Sequence, residues 1–238
     1  MFRDVWRARP PLHKYAFPHG EIRIGVDASF PPFAVDDGQT VYGLDIDLGN
    51  AIAEEIGLPV RFVNIGFDAL YDSVIIDQVD MVISALRLDP SRMAEVRYTT
   101  HYFDAGLLLV TPAGSPITMM EFMEGYDIAY EFGSLADAEV REWEKRIGRM
   151  NHQPYELPQY ALDAVRLEQA DAALVDSTSY YLYERDHPEW EAQTRFVTHE
   201  VYVVAIRIDR IDTWKFVNQA INTLKKNGEL DRIRAKWF

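Results

Sequence analysis

Two side chains of opposite charge follow short apolar runs that lie far apart in the chain. Residues 84–92 follow one such run and carry two guanidinium groups, Arg87 and Arg92, whereas Asp176 follows the apolar residues 172–175. A guanidinium group matches a carboxylate through two parallel hydrogen bonds, and an aspartate accepts hydrogen bonds from an ammonium group. Arg92 and Asp176 can therefore bind the two ends of one zwitterion. An amino acid carries both of these groups.

The elements that position the arginine segment alternate between strands and helices. Residues 22–26 alternate in polarity and predict a strand, and the two prolines in residues 27–33 predict a loop at its carboxyl end. Asp45 is expected to cap the next helix, and Gly57 to end it. The pattern continues with a strand, a short helix, a strand and a helical turn, at residues 60–65, 68–76, 80–84 and after Pro90. This alternation predicts a mainly parallel sheet covered by helices, with ligands at the carboxyl ends of its strands.

A second unit of the same type is predicted after the apolar strand at residues 107–111, where the composition shifts to the stretch 112–116 with its two prolines. Its predicted strands and helices are residues 128–132, 135–147, 160–168, 172–175, a helix from Ser177, and 195–197. These elements place Asp176 at the carboxyl end of a strand, as expected for a ligand residue.

The end of the chain returns to the first unit in this prediction. A strand at residues 202–206 precedes helices at 211–226 and 230–236, and the long amphipathic helix has no partner among the short elements of the second unit. We therefore expect two chain crossings, near 109–112 and 199–203. The predicted domains are residues 21–110 with 203–238, then 111–202, with residues 1–20 as an N-terminal extension.

Composition excludes several classes of function. The chain of 238 residues is 48% hydrophobic, which is enough for a sizeable core. Its 38 acidic and 24 basic residues give a formal net charge of -14, which disfavours nucleic acid and anionic membrane surfaces as partners. Residues 1–20 lack the apolar core of a secretory signal, so the protein is either cytosolic or has had its export signal removed.

Motifs for metal or cofactor chemistry are missing from the sequence. There is no cysteine, and the six histidines share no metal-ligand spacing. No nucleophile elbow, phosphate-binding loop or dinucleotide fingerprint occurs. We therefore expect neither a metal site nor a cofactor.

Several segments, in their order and spacing, resemble one known family. They include GVDASFPPF at 25–33, GLDIDL at 43–48, FDALYDSVIIDQVDMVIS at 67–84, SALRLDPSR at 84–92, EFGS at 131–134, ADAALVDS at 170–177 and the terminal NGELDRIRAKWF. From residue 21 to 238, the chain is similar to the periplasmic solute-binding proteins for polar amino acids, the substrate-binding subunits of ABC importers. Each segment alone is weakly diagnostic, but the whole set is specific.

The resemblance implies a fold, a location and partners. The fold class would be α/β, the two-lobed type II periplasmic-binding-protein fold, in which each lobe is a mainly parallel sheet flanked by helices and two hinge crossings join the lobes. The protein would be a monomer in the periplasm or otherwise outside the cytoplasm, with its signal peptide removed or its precursor anchored to the membrane. Its partners would be an amino acid and the membrane permease of an ABC importer.

The resemblance also assigns roles to individual residues. Arg92 corresponds to the residue that binds the ligand α-carboxylate, and Asp176 to the acceptor of its α-ammonium group. Phe30 corresponds to the aromatic side chain that stacks on the ligand, Phe67 to the opposite apolar wall, and Asp27 to a contact for the ligand side chain. Asp27 thus favours a ligand with a polar or cationic side chain.

Further positions complete the predicted site. Ser84 and Ala85 lie where the family offers polar or backbone contacts to the ligand, and Leu86, which follows them, is also predicted to bind it. Ser134 and Leu135 lie where the amino terminus of a helix meets the carboxylate, because unpaired backbone N–H groups attract anions.

One position departs from the family, and other residues have a structural alternative. Arg87 stands where the family has Thr or Ser; it can bind a second anionic group, neutralise Asp27 or Glu131, or point into solvent. Asp176 can also cap the following helix, and Asp27 can organise its own loop. Phe30 and Phe67 can be core residues, which is the usual role of phenylalanine.

Two alternative functions use the same fold. The first is a ligand-sensing module of a receptor system. The second is an enzyme similar to cyclohexadienyl dehydratases, which need a proton donor in a dry pocket, and Glu131 is the candidate donor. We expect no enzymatic activity, because Arg92 and Asp176 match a pair that only binds.

Overall fold

The structure is a computed structural model that describes residues 13–238 and divides them into two compact units. The first unit comprises the described chain up to Phe103 together with Tyr202–Trp237, and the second comprises Asp104–Val201 with Phe238. Residues 1–12, which belong to the predicted N-terminal extension, lie outside the described residues. No helix among residues 13–238 combines the length and the apolar character that crossing a membrane requires.

The two units contain short strands and eight described helices. The strands are β1 (Ile22–Val26), β2 (Ser29–Phe30), β3 (Ala34–Asp36), β4 (Val41–Tyr42), β5 (Val60–Asn64), β6 (Met81–Val82), β7 (Val96–Tyr98), β8 (Phe103–Asp104), β9 (Leu107–Pro112), β10 (Asp127–Glu131), β11 (Asn151–Tyr155), β12 (Ala172–Asp176), β13 (Ala192–Phe196), β14 (Val201–Tyr202) and β15 (Ala205–Arg207). The helices are α1 (His13–Ala16), α2 (Leu44–Ile56), α3 (Leu70–Ile75), α4 (Leu135–Ile147), α5 (Pro158–Arg166), α6 (Ser177–Asp186), α7 (Ile211–Lys226) and α8 (Glu229–Trp237). Single 3₁₀ turns occur at Phe67–Ala69, Pro90–Arg92 and Met120–Phe122.

The first unit is built on a five-stranded sheet in the order β5-β1-β6-β15-β7. β1 pairs in parallel with both β5 and β6, whereas β15 is antiparallel to β6 and to β7. Four strands therefore run in one direction, and only β15 runs against them. α7 and α8 both pack against α2, so the carboxyl-terminal helices belong to the first unit.

The second unit repeats this design with the order β11-β10-β12-β9-β13. β10 pairs in parallel with β11 and β12, and β9 is antiparallel to both β12 and β13. Side chains alternate along a strand, so β9 places Leu107 and Leu109 in one core cluster and Leu108 and Val110 in the other. Both faces are buried, which is why the strand is a continuous apolar run.

Helices cover the two faces of the second sheet. Ala136, Val140, Trp143 and Ile147 of α4 recur at helical spacing and pack into the cluster that contains Leu109. Four residues of α5 pack into the cluster on the other face, namely Ala161, Leu162, Ala164 and Val165. The observed α/β architecture, with helices on both faces of a mainly parallel sheet, is the predicted fold class.

Three local predictions differ from the structure. The first crossing follows Phe103 rather than residue 110, because β9 pairs within the second sheet. The strand predicted at residues 202–206 is broken into β14, which pairs with β8, and β15, which pairs in the first sheet. Asp45 does not cap α2: the helix begins at Leu44 after Gly43, and the Asp45 side chain is buried in its first turn. Gly57 does end the helix, in a left-handed conformation.

Candidate ligand site

Three strands of the first sheet bring predicted site residues to one edge. β1, β5 and β6 are parallel, so the residues after their carboxyl ends lie side by side. The backbone N–H of Asp27 donates to Ser84 Oγ at 3.0 Å, and the backbone N–H of Phe67 donates to Asp27 Oδ2 at 3.0 Å. The loops after the three strands are therefore joined by direct hydrogen bonds.

A cavity of about 700 Å³ opens at this edge, within the first unit. Seven predicted residues line it: Asp27, Phe30, Phe67, Ser84, Ala85, Leu86 and Arg87. The sequence prediction missed the other lining residues, which are Ser29, Tyr71, Leu88, Asp89, Pro90 and Tyr202. The volume is that of an ordinary small-molecule site.

Aromatic side chains form part of the cavity wall. Phe30 is 50% exposed and Phe67 is 53% exposed, so neither is a core residue. One face of the Phe30 ring stacks on Phe33 at a centroid distance of 5.5 Å and an interplanar angle of 8°. Phe33 is buried and contacts the rings of Phe103 and Tyr202 edge-on, at 5.1 and 5.3 Å. An aromatic cluster thus supports Phe30 and leaves it half exposed at the cavity.

Asp27 organises the loops around it. Its Oδ1 accepts the N–H of Ser29 at 3.1 Å, and its Oδ2 accepts the N–H of Phe67. A carboxylate has about four lone-pair directions, so these two bonds leave acceptor capacity for a donor in the cavity. The structural role is observed, and it is compatible with a ligand contact.

The two arginines of the 84–92 segment lie in different places. Arg87 lines the cavity, and its backbone forms an isolated antiparallel bridge with Tyr202. Arg92 is not among the lining residues: its Nη1 donates to Glu95 Oε2 at 3.0 Å, and its guanidinium lies 5.1 Å from the centre of the Tyr71 ring. Tyr71 itself lines the cavity, so Arg92 stands one side chain behind the wall.

Buried side chains hold the segment that carries Arg87 in place. The backbone N–H of Ala85 donates to Asp45 Oδ2 at 2.9 Å and to the Tyr102 hydroxyl at 3.0 Å. Burial raises the pKa of Asp45 to about 7, although the Tyr102 hydroxyl and the Ala85 N–H oppose this effect. Burial also raises the pKa of Tyr102, and the neighbouring Asp45 adds to the increase. The Ala85 N–H is therefore engaged by protein groups and not directed to a ligand.

In the second unit, the remaining predicted residues share one edge of the second sheet. β10 and β12 are parallel neighbours, so Glu131 and Asp176 end adjacent strands. Ser134 caps α4: its Oγ accepts the N–H groups of Ala136 and Asp137 at 3.1 and 3.3 Å. The Leu135 side chain is 68% exposed. The amino terminus of a 13-residue helix thus lies at this edge.

Asp176 caps α6. Its Oδ1 accepts the Ser179 N–H at 2.9 Å, and its Oδ2 accepts the Ser179 hydroxyl at 2.6 Å. The capping role expected as the structural alternative is therefore present. Each oxygen keeps a lone pair with which it can also accept a bond from an ammonium group.

Some of the lining residues that were not predicted carry a signal in the sequence, and others carry none. Ser29 adjoins Phe30, and Tyr71 follows Phe67 by four residues, one helical turn further on. Asp89 precedes Pro90 and caps a 3₁₀ turn by accepting the Ser91 N–H. Tyr202 carries no local signal, because contacts with distant segments, such as its bridge to Arg87, bring it to the cavity. Among residues 13–238, no group of three or more His, Asp or Glu side chains could hold a metal ion.

The chain and its fold have known relatives. The sequence profile of the bacterial extracellular solute-binding proteins, family 3, matches residues 22–238. The L-arginine-binding protein of Pseudomonas aeruginosa is 27% identical over 231 residues, covering 91% of this chain and 87% of the relative. A solved structure, the L-cystine solute receptor of Neisseria gonorrhoeae in its unliganded open conformation, matches with a TM-score of 0.76. Its sequence is 20% identical and the match covers 97% of each chain, so the likeness supports the fold alone.

A further solved structure connects this fold with an enzyme. It is the ancestral amino-acid-binding protein AncCDT-1, described as a precursor of cyclohexadienyl dehydratase, at 26% identity and a TM-score of 0.55, covering 94% of this chain and 98% of the other. The profile match spans nearly all of the described residues, and both units have the predicted α/β architecture with a mainly parallel sheet. The chain therefore belongs to the bacterial extracellular solute-binding proteins, family 3.

Proposed function

We propose that this protein captures an amino acid outside the cytoplasm and delivers it to the membrane permease of an ABC importer. The observation that carries the proposal is the cavity at the carboxyl edge of the first sheet, where half-exposed aromatic rings lie beside the charged side chains Asp27 and Arg87. Apolar walls with a few oriented polar groups are typical of sites for small polar metabolites. Membership of a solute-binding family supports the same function.

The mechanism we propose is closure of two lobes on one ligand. Phe30, Phe67 and Arg92 would hold the ligand on the first unit, with Arg92 on the α-carboxylate. Asp176 and the amino terminus of α4 at Ser134 would complete the site from the second unit. A ligand that contacts both units binds the closed form better than the open form and shifts the population towards it. An ABC permease would then recognise the closed form.

The side chain of the ligand is proposed to be polar or cationic. Asp27 retains acceptor capacity in the cavity, and one relative is named as an L-arginine-binding protein. Arg87 lines the same cavity and opposes a cationic side chain, so neutral polar amino acids are included in the proposal.

A thermal-shift screen of the twenty amino acids tests this proposal. A ligand that binds only the folded protein raises its stability by about 2.7 kcal/mol when its free concentration is one hundred times Kd. We expect one or a few polar or cationic amino acids to raise the unfolding midpoint, and the apolar ones to leave it unchanged. No shift with any of the twenty would contradict amino-acid capture.

The partners and the location follow from the same proposal. The protein would be a monomer in the periplasm or at the outer face of the membrane, with a signal peptide or an anchor on its precursor. A sensing module of a receptor system is the alternative role. Neighbouring permease genes would favour transport, and a fused or neighbouring kinase would favour sensing.

An enzymatic role is the second candidate, because a structural relative is described as the precursor of a cyclohexadienyl dehydratase. Glu131, which ends β10, is the proton donor that such a reaction would use here. We propose that the protein has no such activity, since Arg92 and Asp176 match a pair that binds without catalysis. Incubation with prephenate and with arogenate should yield no product, and measurable turnover would favour the enzyme.

A further inference from the structure

One residue of the cavity segment has an unusual backbone conformation. Ala85 has a φ of 45°, in the left-handed region that residues with a Cβ rarely adopt. It lies between Ser84 and Leu86, and all three line the cavity while remaining almost fully buried. Such a conformation persists only where neighbouring groups hold it in place.

The group that holds Ala85 is a buried carboxyl. Asp45 is 1% exposed, and its Oδ2 accepts the Ala85 N–H at 2.9 Å. Its other oxygen, Oδ1, is buried and accepts or donates no hydrogen bond within the described part of the chain. An incompletely bonded buried carboxyl is unfavourable, so its presence here requires a compensating contribution. The contacts of this carboxyl with the Ala85 N–H and the Tyr102 hydroxyl are the contributions that the structure shows.

The backbone of Asp45 is also bonded to the loop that carries Phe30. The backbone N–H of Asp45 donates to the carbonyl oxygen of Phe33 at 2.9 Å, and the N–H of Leu44 donates to that of Pro32 at 3.0 Å. Phe33 is the residue on which Phe30 stacks. Asp45 therefore ties the loop that carries Phe30 to the segment that carries Ala85, although it does not line the cavity itself.

We propose that Asp45 is a positioning residue of the ligand cavity, which fixes residues 84–87 relative to the Phe30 loop through the Ala85 N–H. Tyr102, whose hydroxyl accepts the same N–H at 3.0 Å, assists it. The inference rests on the proposed function, since it assigns a role in ligand affinity to a residue that no ligand would touch. Without Asp45, Ala85 would relax to a common backbone conformation, and the cavity wall would move with it.

Calorimetry with three variants tests this inference, with L-arginine as the probe. Asp45→Ala removes the acceptor and should weaken L-arginine binding roughly tenfold or more. Asp45→Asn keeps a side-chain oxygen for the Ala85 N–H and should stay within about threefold of the wild type. Rescue by the amide would show that the hydrogen bond, and not the charge, is what matters.

Asp80→Asn is the matched control. Asp80 is also buried, but it bonds to the backbone and side chain of Arg23 just before β6, away from the carboxyl ends of the strands. We expect this variant to lower the unfolding midpoint by about 5 °C and to leave the affinity for L-arginine unchanged. If Asp80→Asn and Asp45→Ala lost the same affinity for L-arginine, general destabilisation would explain both losses, and the inference would be overturned.

Hydrogen exchange of the Ala85 amide provides a readout that needs no ligand. It should be slow in the wild type, in Asp45→Asn and in Asp80→Asn, and at least about tenfold faster in Asp45→Ala. Unchanged exchange in Asp45→Ala would overturn the inference. If the wild type binds neither L-arginine nor any amino acid of the screen, the proposed function fails, and the exchange rate of Ala85 alone then decides whether Asp45 positions this segment.

Discussion

At the scale of single residues, two guanidinium groups are candidates to bind an anionic group of the ligand. Arg87 forms part of the cavity wall, whereas Arg92 bonds to Glu95 and contacts two lining residues, Tyr71 through its guanidinium and Asp89 through its backbone N–H. An exposed pair such as Arg92 with Glu95 is weak, so a ligand carboxylate can replace Glu95 at little cost. Substitution of each arginine is therefore expected to have a different effect on ligand binding.

Arg92→Ala should abolish amino-acid binding that calorimetry can detect. Closure of the lobes on the ligand would exclude water from its carboxylate, and without Arg92 that carboxylate would lack its cationic partner. Glu95→Gln is the control, because it releases Arg92 from its present partner without removing the guanidinium, and it should bind at least as well as the wild type. Wild-type affinity in Arg92→Ala would refute the role of Arg92.

Arg87→Thr should change selectivity more than overall affinity. A guanidinium in the cavity repels a cationic ligand side chain, so its removal should improve L-arginine binding by about tenfold relative to L-glutamine. The two dissociation constants, measured by calorimetry for both proteins, give this ratio directly. An unchanged ratio would mean that Arg87 does not act on the ligand side chain.

At the scale of elements, helix α2 packs unusually close to the sheet. A Cβ added at Gly49 would lie 2.7 Å from the ring of Phe62 on β5 and 2.9 Å from Ile24 on β1. Both neighbours are side chains packed beneath the helix, so neither can move away freely. Glycine is therefore required at this position by the distance between helix and sheet.

Gly49→Ala should destabilise the protein, although alanine is the better helix former by about 1 kcal/mol. Overpacking typically costs about 1 to 3 kcal/mol, which exceeds the gain in helix propensity. Gly66→Ala is a suitable control, because a Cβ at Gly66 meets nothing within 4 Å. Urea unfolding should show a loss for Gly49→Ala only; a stabilised Gly49→Ala would show that α2 can shift away from the sheet.

Elements also differ in how well local pattern predicts them. The helix at residues 135–147 is predicted and found with identical bounds, because Ser134, an apolar stripe and Gly148 mark it locally. The cap of α2 is predicted wrongly at Asp45, since aspartate is a frequent cap and nothing near it in the sequence indicates burial. Its actual partner, Ala85, is 40 residues away.

At the scale of the whole molecule, ionisation of Asp45 should make stability depend on pH. Burial raises the pKa of Asp45 to about 7, above its usual value of 3.8. The folded protein therefore binds more protons than the unfolded chain between these two values. The contribution of Asp45 to the free energy of unfolding is therefore fully present below about pH 4 and is lost as the pH rises through 7.

Asp45→Asn should remove this pH dependence. Between pH 4 and pH 8 the wild type should lose stability on the order of 3 kcal/mol relative to the variant, which cannot ionise at this position. The pH dependence that comes from other carboxyls is the same in the two proteins and cancels when they are compared. Asp104 is one example: burial alone would raise its pKa, but hydrogen bonds from His199 and from backbone N–H groups hold the pKa below its usual value in both proteins. Parallel stability curves for the two proteins would contradict the prediction.

Local sequence pattern was enough to predict the alternation of strands and helices, the apolar runs of strands buried on both faces, and the position of Asp27, Phe67 and Ser84 after strand ends. These features follow from local periodicity and from the rule that parallel strands end at one edge. Seven predicted site residues of the first unit line one cavity for this reason, whereas Arg92 does not line it.

The side chains that complete this cavity could be identified only from the folded structure. Tyr202 enters it through a bridge to Arg87, and Asp45 supports it through a hydrogen bond to Ala85, both across long stretches of chain. Arg92 lies behind Tyr71 because Glu95 and the Tyr71 ring hold its guanidinium there. The contacts of Tyr202 and Asp45 depend on how distant segments pack, which periodicity and residue type do not encode.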